Sequence, residues 1–177
     1  FLKNKVLELE TRKKIYELVK KHEGSHFREL ERKSNIPASS LKYHLNYLAR
    51  HGLISEEKNG NTICYFSHEL QSNEISGNRE LLILLRQKNI RTILLFLVMN
   101  DQCLFEEIVR FVNLSPSTIS WHLKKLKMKK IITAEKMERQ VYYTLAIDKQ
   151  QIMNLLITYQ KSFLDSLVDK TIEMWDV

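Results

Sequence analysis

Apolar residues recur every three or four positions in several stretches of the chain, and this spacing is typical of amphipathic helices. The first part of the chain has three such stretches followed by two β-like runs: residues 11–23, 27–35, 39–51, 53–56 and 62–66. The two runs are joined by Lys58-Asn59-Gly60-Asn61, which is a strong hairpin turn signal. The pattern therefore predicts three helices followed by a β-hairpin.

The same order of elements returns 78 residues later without a gap. Between residues 11–67 and 89–145, 13 of 57 positions are identical, including the pair His44/His122. Shared amphipathic patterning accounts for part of this similarity, because most of the identical positions belong to apolar stripes or turns. A gapless match over four elements nevertheless indicates that one structural unit occurs twice.

The remaining sequence predicts a connection and a tail. Residues 71–78 are polar and typical of a linker, and residues 79–86 predict a short connecting helix. We therefore predict a mainly α fold with small β-hairpins (α+β), divided into a first unit, a linker with its helix, a second unit and a C-terminal helix: residues 1–70, 71–86, 87–147 and 148–177.

The predicted C-terminal helix begins after Asp148, which can cap it, and keeps its apolar stripe to about Trp175. Its length of about 27 residues corresponds to roughly 40 Å. The stripe predicts either a helix folded back over its own chain or, as the favoured interpretation, a homodimer interface. The residues assigned to that interface are Ile152, Leu155, Leu156, Tyr159, Phe163 and Leu167.

The stretch 115–127 has the features of a helix that contacts another molecule. Ser115 can cap its first amides, and Pro116 suits the first helical position. Apolar residues such as Ile119 and Leu123 form one narrow stripe, while hydroxyls, an aromatic ring and lysines occupy the other face. An ordinary surface helix with solvated lysines fits the same pattern, but its recurrence in the first unit favours a DNA recognition helix.

The net charge of +7 and the pI near 9.3 favour a polyanionic partner. The charge is concentrated in two blocks, with +4 in residues 1–70 and +5 in residues 87–147, whereas residues 148–177 carry −2. The two predicted units are therefore the basic parts of the chain.

Other chemistry has little support in the sequence. Cys64 and Cys103 are isolated from each other, so we expect buried structural thiols, no metal site and a reducing, cytoplasmic location, although a redox switch is an open alternative. The longest apolar run, Ile93–Met99, is far shorter than a membrane span. Nothing resembling a signal peptide is present.

Gly-rich phosphate loops and the Gly-x-Ser-x-Gly or His-Glu-x-x-His patterns are lacking, so we expect neither an enzyme nor a cofactor.

The segments Ile36–Leu48 and Leu114–Leu126 share the pattern Ser, Ser or Thr, apolar, any residue, aromatic, His, Leu, two polar residues and Leu. In these residues the chain resembles the tandem winged helix-turn-helix regulators of archaea that are related to the ArsR-like group. The resemblance spans about residues 10–147. It implies a sequence-specific, double-stranded DNA-binding transcriptional regulator with two winged units per chain.

Carried over position by position, the resemblance implies DNA contacts from both recognition helices and both hairpins. In the first unit these are Ser39, Ser40, Lys42, Tyr43, Asn46, Tyr47, Arg50, Lys58 and Asn61. In the second unit they are Ser117, Thr118, Ser120, Trp121, Lys124, Lys125, Lys127, Lys136 and Arg139.

The chain departs from this group at Tyr43 and Trp121, where its members often carry arginine. Without that guanidinium, base recognition depends on Asn46, on the hydroxyls and on DNA shape. His44 and His122 precede inward leucines, and a structural, hydrogen-bonded histidine is favoured over a functional one at both positions.

Two other functions remain open at this point. A protein-interaction scaffold could use winged helices as adaptors without binding DNA, although the lysine cluster in residues 124–130 argues against it. Double-stranded RNA binding has no support beyond the positive charge.

Overall fold

A computed structural model describes residues 6–69, 78–163, 171–172 and 174–175. The chain divides into two compact units, Phe1–Ile83 and Leu84–Val177. The predicted linker at residues 71–78 lies outside the described residues except for Asn78. Within the described ranges, none of the helices has the length and apolar character needed to cross a bilayer.

The first unit contains the predicted three helices and hairpin together with a short additional strand. Its elements are α1 (Glu10–Lys21), β1 (Ser25–His26), α2 (Phe27–Ser34), α3 (Ala38–Arg50), β2 (Ile54–Asn59) and β3 (Thr62–Ser67), and it also contains the start of α4 (Arg79–Arg86). Helix α4 is the helix predicted over residues 79–86. The mainly α, α+β fold class is therefore confirmed.

The sheet of the first unit is antiparallel with the order β1-β3-β2. Strand β1 pairs with β3 through Ser25↔Tyr65 and was not predicted, because two residues are too few to show an alternating pattern. The hairpin closes at Asn59↔Thr62, and Gly60 has a φ of 61°, which glycine adopts without steric cost. Strand β1 places the start of α2 beside the hairpin, because α2 begins directly after β1.

The apolar stripes of the three helices form the core of the first unit. Residues from α1, α2 and α3 are almost inaccessible to solvent, among them Ile15, Val19, Leu30, Leu41, Leu45 and Leu48. Burying each such side chain contributes about 1.5–3 kcal/mol relative to leaving it exposed. Because this core fixes one face of α3, the opposite face of α3 is directed away from it.

The second unit repeats this plan. It contains the end of α4 and the elements α5 (Lys88–Met99), β4 (Cys103–Leu104), α6 (Phe105–Val112), α7 (Pro116–Met128), β5 (Ile132–Met137), β6 (Gln140–Leu145), α8 (Lys149–Thr158) and α9 (Gln160–Phe163). Its sheet has the equivalent order β4-β6-β5. The turn residues Asn35 and Asn113, which are equivalent, both adopt left-handed backbone with φ of 54° and 56° at the ends of α2 and α6.

Helix α7 begins as predicted. The Ser115 hydroxyl accepts a hydrogen bond from the Thr118 amide at 3.3 Å, and Pro116 occupies the first helical turn. The Ser115 hydroxyl also lies 2.7 Å from the Thr118 hydroxyl and 3.1 Å from that of Ser117. These contacts fix the start of the helix.

Removing this cap is expected to destabilise the protein measurably. Ser115→Ala leaves the Thr118 amide at the start of α7 without its acceptor, so the free energy of unfolding should fall by about 1 kcal/mol. Urea denaturation provides the measurement. Ser120→Ala, in the exposed interior of the same helix, is the matched control and should change the unfolding free energy by less than about 0.5 kcal/mol. Equal effects of the two substitutions would show that the cap is unimportant.

The predicted continuous C-terminal helix is wrong within the described residues. Helix α8 begins at Lys149, capped by Asp148, but it ends at Thr158, and the short helix α9 follows after Tyr159. Ser162 is buried in α9, where its hydroxyl accepts hydrogen bonds from the Arg86 guanidinium at 2.9 and 3.0 Å. These hydrogen bonds join α9 to the end of α4.

The apolar residues that were assigned to a dimer interface on α8 are already covered within a single chain. Ile152, Leu155, Leu156 and Tyr159 are buried, and Phe163 is half-buried with the Arg91 guanidinium 5.0 Å from its ring. Leu167 lies outside the described residues. The assignment of those four buried residues to a dimer interface is therefore wrong, because they are not accessible to a second chain.

A buried carboxyl group joins α1 to the hairpin in the first unit. Glu23 is 3% exposed and accepts a hydrogen bond from the Ser67 amide at 2.8 Å and another from the Ser67 hydroxyl. Burial raises the pKa of Glu23 to about 7, although the Ser67 hydrogen bonds and the charges of Arg79 and Lys20 oppose this rise. The protonation of Glu23 therefore changes near neutral pH.

Candidate nucleic-acid interface

In the first unit, one face of α3 carries the predicted contact residues. Positions 42 and 43 lie three and four residues after position 39, and positions 46 and 50 continue at spacings of three or four, so all five share the face opposite the core. Their side chains, Ser39, Lys42, Tyr43, Asn46 and Arg50, are all exposed. Ser40 lies at the edge of this face and is half-buried.

In the second unit, the equivalent face of α7 is also exposed. It carries Ser117, Ser120, Trp121, Lys124 and Lys127, whereas Ile119, Leu123 and Leu126 are buried on the opposite side. The position equivalent to Arg50 is occupied by Met128, which is 76% exposed. The structure therefore brings hydroxyl groups, an aromatic ring and lysines together on one accessible surface in this unit.

Tyr47 is held by neighbouring side chains within the first unit. The Arg12 guanidinium lies 3.7 Å from the centre of its ring, and the His51 ring stacks on it at 4.1 Å. Tyr47 is half-buried as a result. Arg12 was not among the predicted contact residues, and only its approach to Tyr47 in the fold brings it to the border of the exposed face of α3.

Lys125 and Thr118 are likewise engaged within the second unit. The Lys125 ammonium donates a hydrogen bond to the Gln87 side chain at 3.2 Å, and burial, with a smaller effect from Lys129, lowers its pKa. The Thr118 hydroxyl takes part in the cap of α7. Lys124 and Lys127 are therefore the more accessible cations of this helix.

The hairpins add further exposed polar side chains. Lys58 and Asn61 are exposed at the end of the first hairpin, and Lys136 and Arg139 occupy the equivalent positions of the second. Two carboxylates, Glu135 and Glu138, accompany the second pair. The formal charge of the second hairpin is therefore zero.

A cleft of about 500 Å³ lies between α3, the start of α2 and the hairpin of the first unit. Its lining includes three predicted residues, Lys42, Asn46 and Asn61, and also several that sequence reasoning missed: His26, Phe27, Arg28, Glu56, Thr62, Ile63 and Tyr65. The pairing of β1 with β3 places His26 and Arg28 at this cleft, and no local pattern in the sequence predicts that pairing.

A smaller cleft of about 340 Å³ occurs in the second unit. It is lined by Ser120, Leu123, Lys124, Lys127, Met128 and Tyr143. Two lysines and no carboxylate are among the described residues that line it. The position equivalent to Glu56 is Ala134, whereas Glu106 takes the position equivalent to Arg28 and acts electrostatically on Tyr143.

His44 and His122 are buried at equivalent positions, each 7% exposed. Burial lowers the pKa of both, with smaller effects from Arg12 on His44 and from Lys125 on His122. Within the described part of the chain, the Nδ1 atom of each ring has no hydrogen-bond partner. Both histidines are buried, but the hydrogen bond expected of a structural histidine is not formed at Nδ1, and their structural role stays a prediction.

Within the described residues both cysteines are buried, as predicted, and neither forms a disulfide. Burial raises the pKa of the Cys103 thiol to about 11, so it remains protonated at neutral pH and is a poor nucleophile. In the ranges that the structure describes, no group of three or more His, Cys, Asp or Glu side chains is arranged to hold a metal ion.

Comparison with known proteins supports the assignment of both units as helix-turn-helix domains. Residues 9–76 match a family described as an N-terminal HTH domain, and residues 88–133 match the family described as bacterial regulatory protein, arsR family. The chain is also 31% identical over 140 residues to an "uncharacterized HTH-type transcriptional regulator" of Methanocaldococcus jannaschii. That alignment covers 78% of this chain but only 34% of the relative, so the chain spans about a third of the relative's length.

These matches confirm the resemblance found in the sequence. The chain carries two helix-turn-helix domains in tandem, the second of them similar to the arsR family, and it has a relative in an archaeon. The family matched by the second unit is described as a regulatory protein family, and the relative is named as a transcriptional regulator.

Proposed function

Because this chain carries two helix-turn-helix domains in tandem, we propose that it is a transcriptional regulator that binds double-stranded DNA in a sequence-specific manner. In this proposal the exposed faces of α3 and α7 enter the major groove. Lysines of these faces and of the hairpins neutralise phosphates, while hydroxyl, amide and aromatic side chains contact base edges. No catalytic step is involved.

The exposed face of α7 is the observation that carries this proposal. Short hydroxyl side chains stand near its N-terminal end, and the ammonium groups of Lys124 and Lys127 follow on the same accessible side. Helices that read the major groove contact bases with residues near their N-terminal end, and cations that neutralise phosphates supply much of the affinity. The charge of the second unit suits this arrangement, because Lys129 and Lys130 directly follow the helix.

Selection from a pool of random duplexes tests the proposal. The chain is expected to enrich a defined sequence, and its affinity for that duplex, measured by fluorescence anisotropy, should fall steeply as the salt concentration rises. An equal affinity for double-stranded RNA, or no duplex binding at moderate salt combined with a stable protein partner, would contradict the proposal. The second result would favour an adaptor function.

The carboxylate in the first cleft leads to a further prediction. Glu56 lines the same cleft as Lys42, so it repels a phosphate that approaches Lys42, whereas Ala134 exerts no such repulsion in the second unit. Glu56→Ala is therefore expected to tighten DNA binding by roughly two- to fivefold at low salt, as measured by anisotropy.

The matched control for Glu56→Ala is Glu17→Ala, which makes the same charge change at an exposed position of α1. Glu17→Ala should leave the affinity within about 1.5-fold of that of the unaltered chain. Weaker binding by Glu56→Ala would instead indicate that this carboxylate contacts a base directly.

One chain already carries two candidate DNA-binding faces, so the proposal does not require a homodimer. A homodimer formed through the C-terminal segment stays a prediction, and it would have to use surfaces other than the four buried residues of α8 and its cap. We also propose that the protein acts in the cytoplasm, where the reducing environment suits two cysteines that form no disulfide in the described part of the chain.

A further inference from the structure

An exposed aromatic ring stands at the same position of each unit's recognition helix. Tyr43 on α3 is 61% exposed and Trp121 on α7 is 59% exposed. The two positions are related by the internal repeat of 78 residues. A single exposed aromatic residue needs no explanation, but here the same accessible site is aromatic in both units and lies among the candidate contact residues.

Both rings are held in the same way by the histidine that follows them. The Tyr43 and His44 rings meet edge-on, with centroids 5.1 Å apart and planes at 73°, and the Trp121 and His122 rings do so at 4.9 Å and 70°. Because His44 and His122 are buried, they provide a fixed support for the exposed rings. The Lys125 ammonium also lies 5.6 Å from the centre of the Trp121 ring. A ring that is already ordered loses less conformational entropy when it binds.

The chemistry of α7 limits what the indole can recognise. An indole has one N–H donor and no acceptor, so it cannot form the paired hydrogen bonds by which arginine reads guanine or asparagine reads adenine. Helix α7 contains neither arginine nor asparagine. The apolar feature that base edges offer in the major groove is the C5-methyl group of thymine, and this group suits the apolar surface of an aromatic ring.

We propose that Trp121, and Tyr43 in the equivalent position of the first unit, determine sequence specificity by packing against thymine methyl groups. This inference rests on the proposed DNA-binding function and adds to it the base that the two rings select. Lysines and hydroxyls on the same faces supply affinity and orientation, and the aromatic rings favour sites that contain thymine at the contacted step.

Replacing thymine by deoxyuridine tests this contact, because uracil lacks the C5-methyl group and otherwise presents the same edge. Affinities are measured by anisotropy for the duplex selected by the unaltered chain and for duplexes with one deoxyuridine each. At one or two positions the unaltered chain should bind the deoxyuridine duplex about three- to fourfold more weakly, as expected for the loss of one buried methyl group.

Substitutions at Trp121 test whether its ring makes the contact with the thymine methyl group. Trp121→Ala should bind the thymine and deoxyuridine duplexes with equal affinity at one of those positions, whereas Trp121→Phe should retain the difference. Ile157→Ala, at an exposed apolar position of α8 outside both recognition helices, is the matched control and should retain it as well. Thermal unfolding of each variant confirms that it is folded, and Trp121 makes no contribution to the buried core.

The outcomes separate this inference from the proposed function. If the unaltered chain binds the selected duplex in a salt-dependent way but does not distinguish thymine from uracil at any position, the inference is overturned and DNA binding stands. A methyl effect that persists in both Trp121→Ala and Tyr43→Ala also overturns it. Failure to bind any duplex overturns the proposed function itself.

Discussion

Replacing both Lys124 and Lys127 by alanine is expected to weaken binding to duplex DNA by roughly 10- to 100-fold at physiological salt. The two ammonium groups line one cleft beside α7, and both side chains are exposed. If each neutralises one phosphate, the slope of log affinity against log salt should become shallower by about 1.8. Anisotropy titrations at several salt concentrations measure both quantities, and the loss should be similar for every duplex sequence, because phosphates carry no sequence information.

The control for this double substitution removes two other lysines. Lys21 and Lys161 are exposed and lie outside both recognition helices and both hairpins. Replacing them by alanine lowers the net charge from +7 by the same amount. This control variant should lose less than about threefold in affinity and keep its salt slope. Equal losses in the two double variants would show that only net charge matters, which would contradict a specific role for α7.

The substitution Glu23→Gln is expected to change how the stability of the protein depends on pH. The folded-state pKa of Glu23 is raised from 4.5 to about 7, so the folded state holds this proton more tightly than the unfolded state. Its favourable contribution is fully present below about pH 4.5 and is lost as the pH rises through 7. Glutamine keeps an acceptor for Ser67 without the buried charge. The free energy of unfolding of Glu23→Gln, relative to that of the unaltered chain, should therefore rise over this window by about 2–3 kcal/mol.

Urea denaturation at a series of pH values between 4.5 and 8.5 measures this difference. The two buried histidines have lowered pKa values and act in the opposite direction, destabilising the fold as the pH falls below about 6.5. They are present in both proteins, so their effect cancels in the comparison. Glu17→Gln makes the same substitution at an exposed position and is the matched control for the change of side chain. A difference for Glu23→Gln that does not vary with pH would refute this assignment.

The helices and their exposed faces could be predicted from the sequence because they depend on local periodicity. The apolar stripe of α7 and the hydroxyl and proline at its start are all contained in one short stretch, and the internal repeat supplied the same information a second time. Residues spaced by three and four had to share a face once the helix formed. The outward direction of Trp121 and Lys124 follows from that spacing.

Other features depend on contacts between residues far apart in sequence. Strand β1 exists because it pairs with β3, and this pairing brings His26 to the cleft that Asn46 and Glu56 also line. The engagement of Lys125 with Gln87 likewise requires the folded unit. The turn at Tyr159 interrupts a stripe whose spacing alone predicts an unbroken helix. Local patterns carry no information about such contacts.

Lysine acetylation with and without the selected duplex shows which surfaces the DNA covers. Mass spectrometry would report the modification rate of each lysine at a salt concentration where the protein is fully bound. We expect Lys42, Lys124 and Lys127 to react several times more slowly in the complex, while Lys21 and Lys161 keep their rates. Unchanged rates at the first three lysines in a saturated complex, or protection confined to Lys21 and Lys161, would contradict the placement of DNA against the exposed faces of α3 and α7.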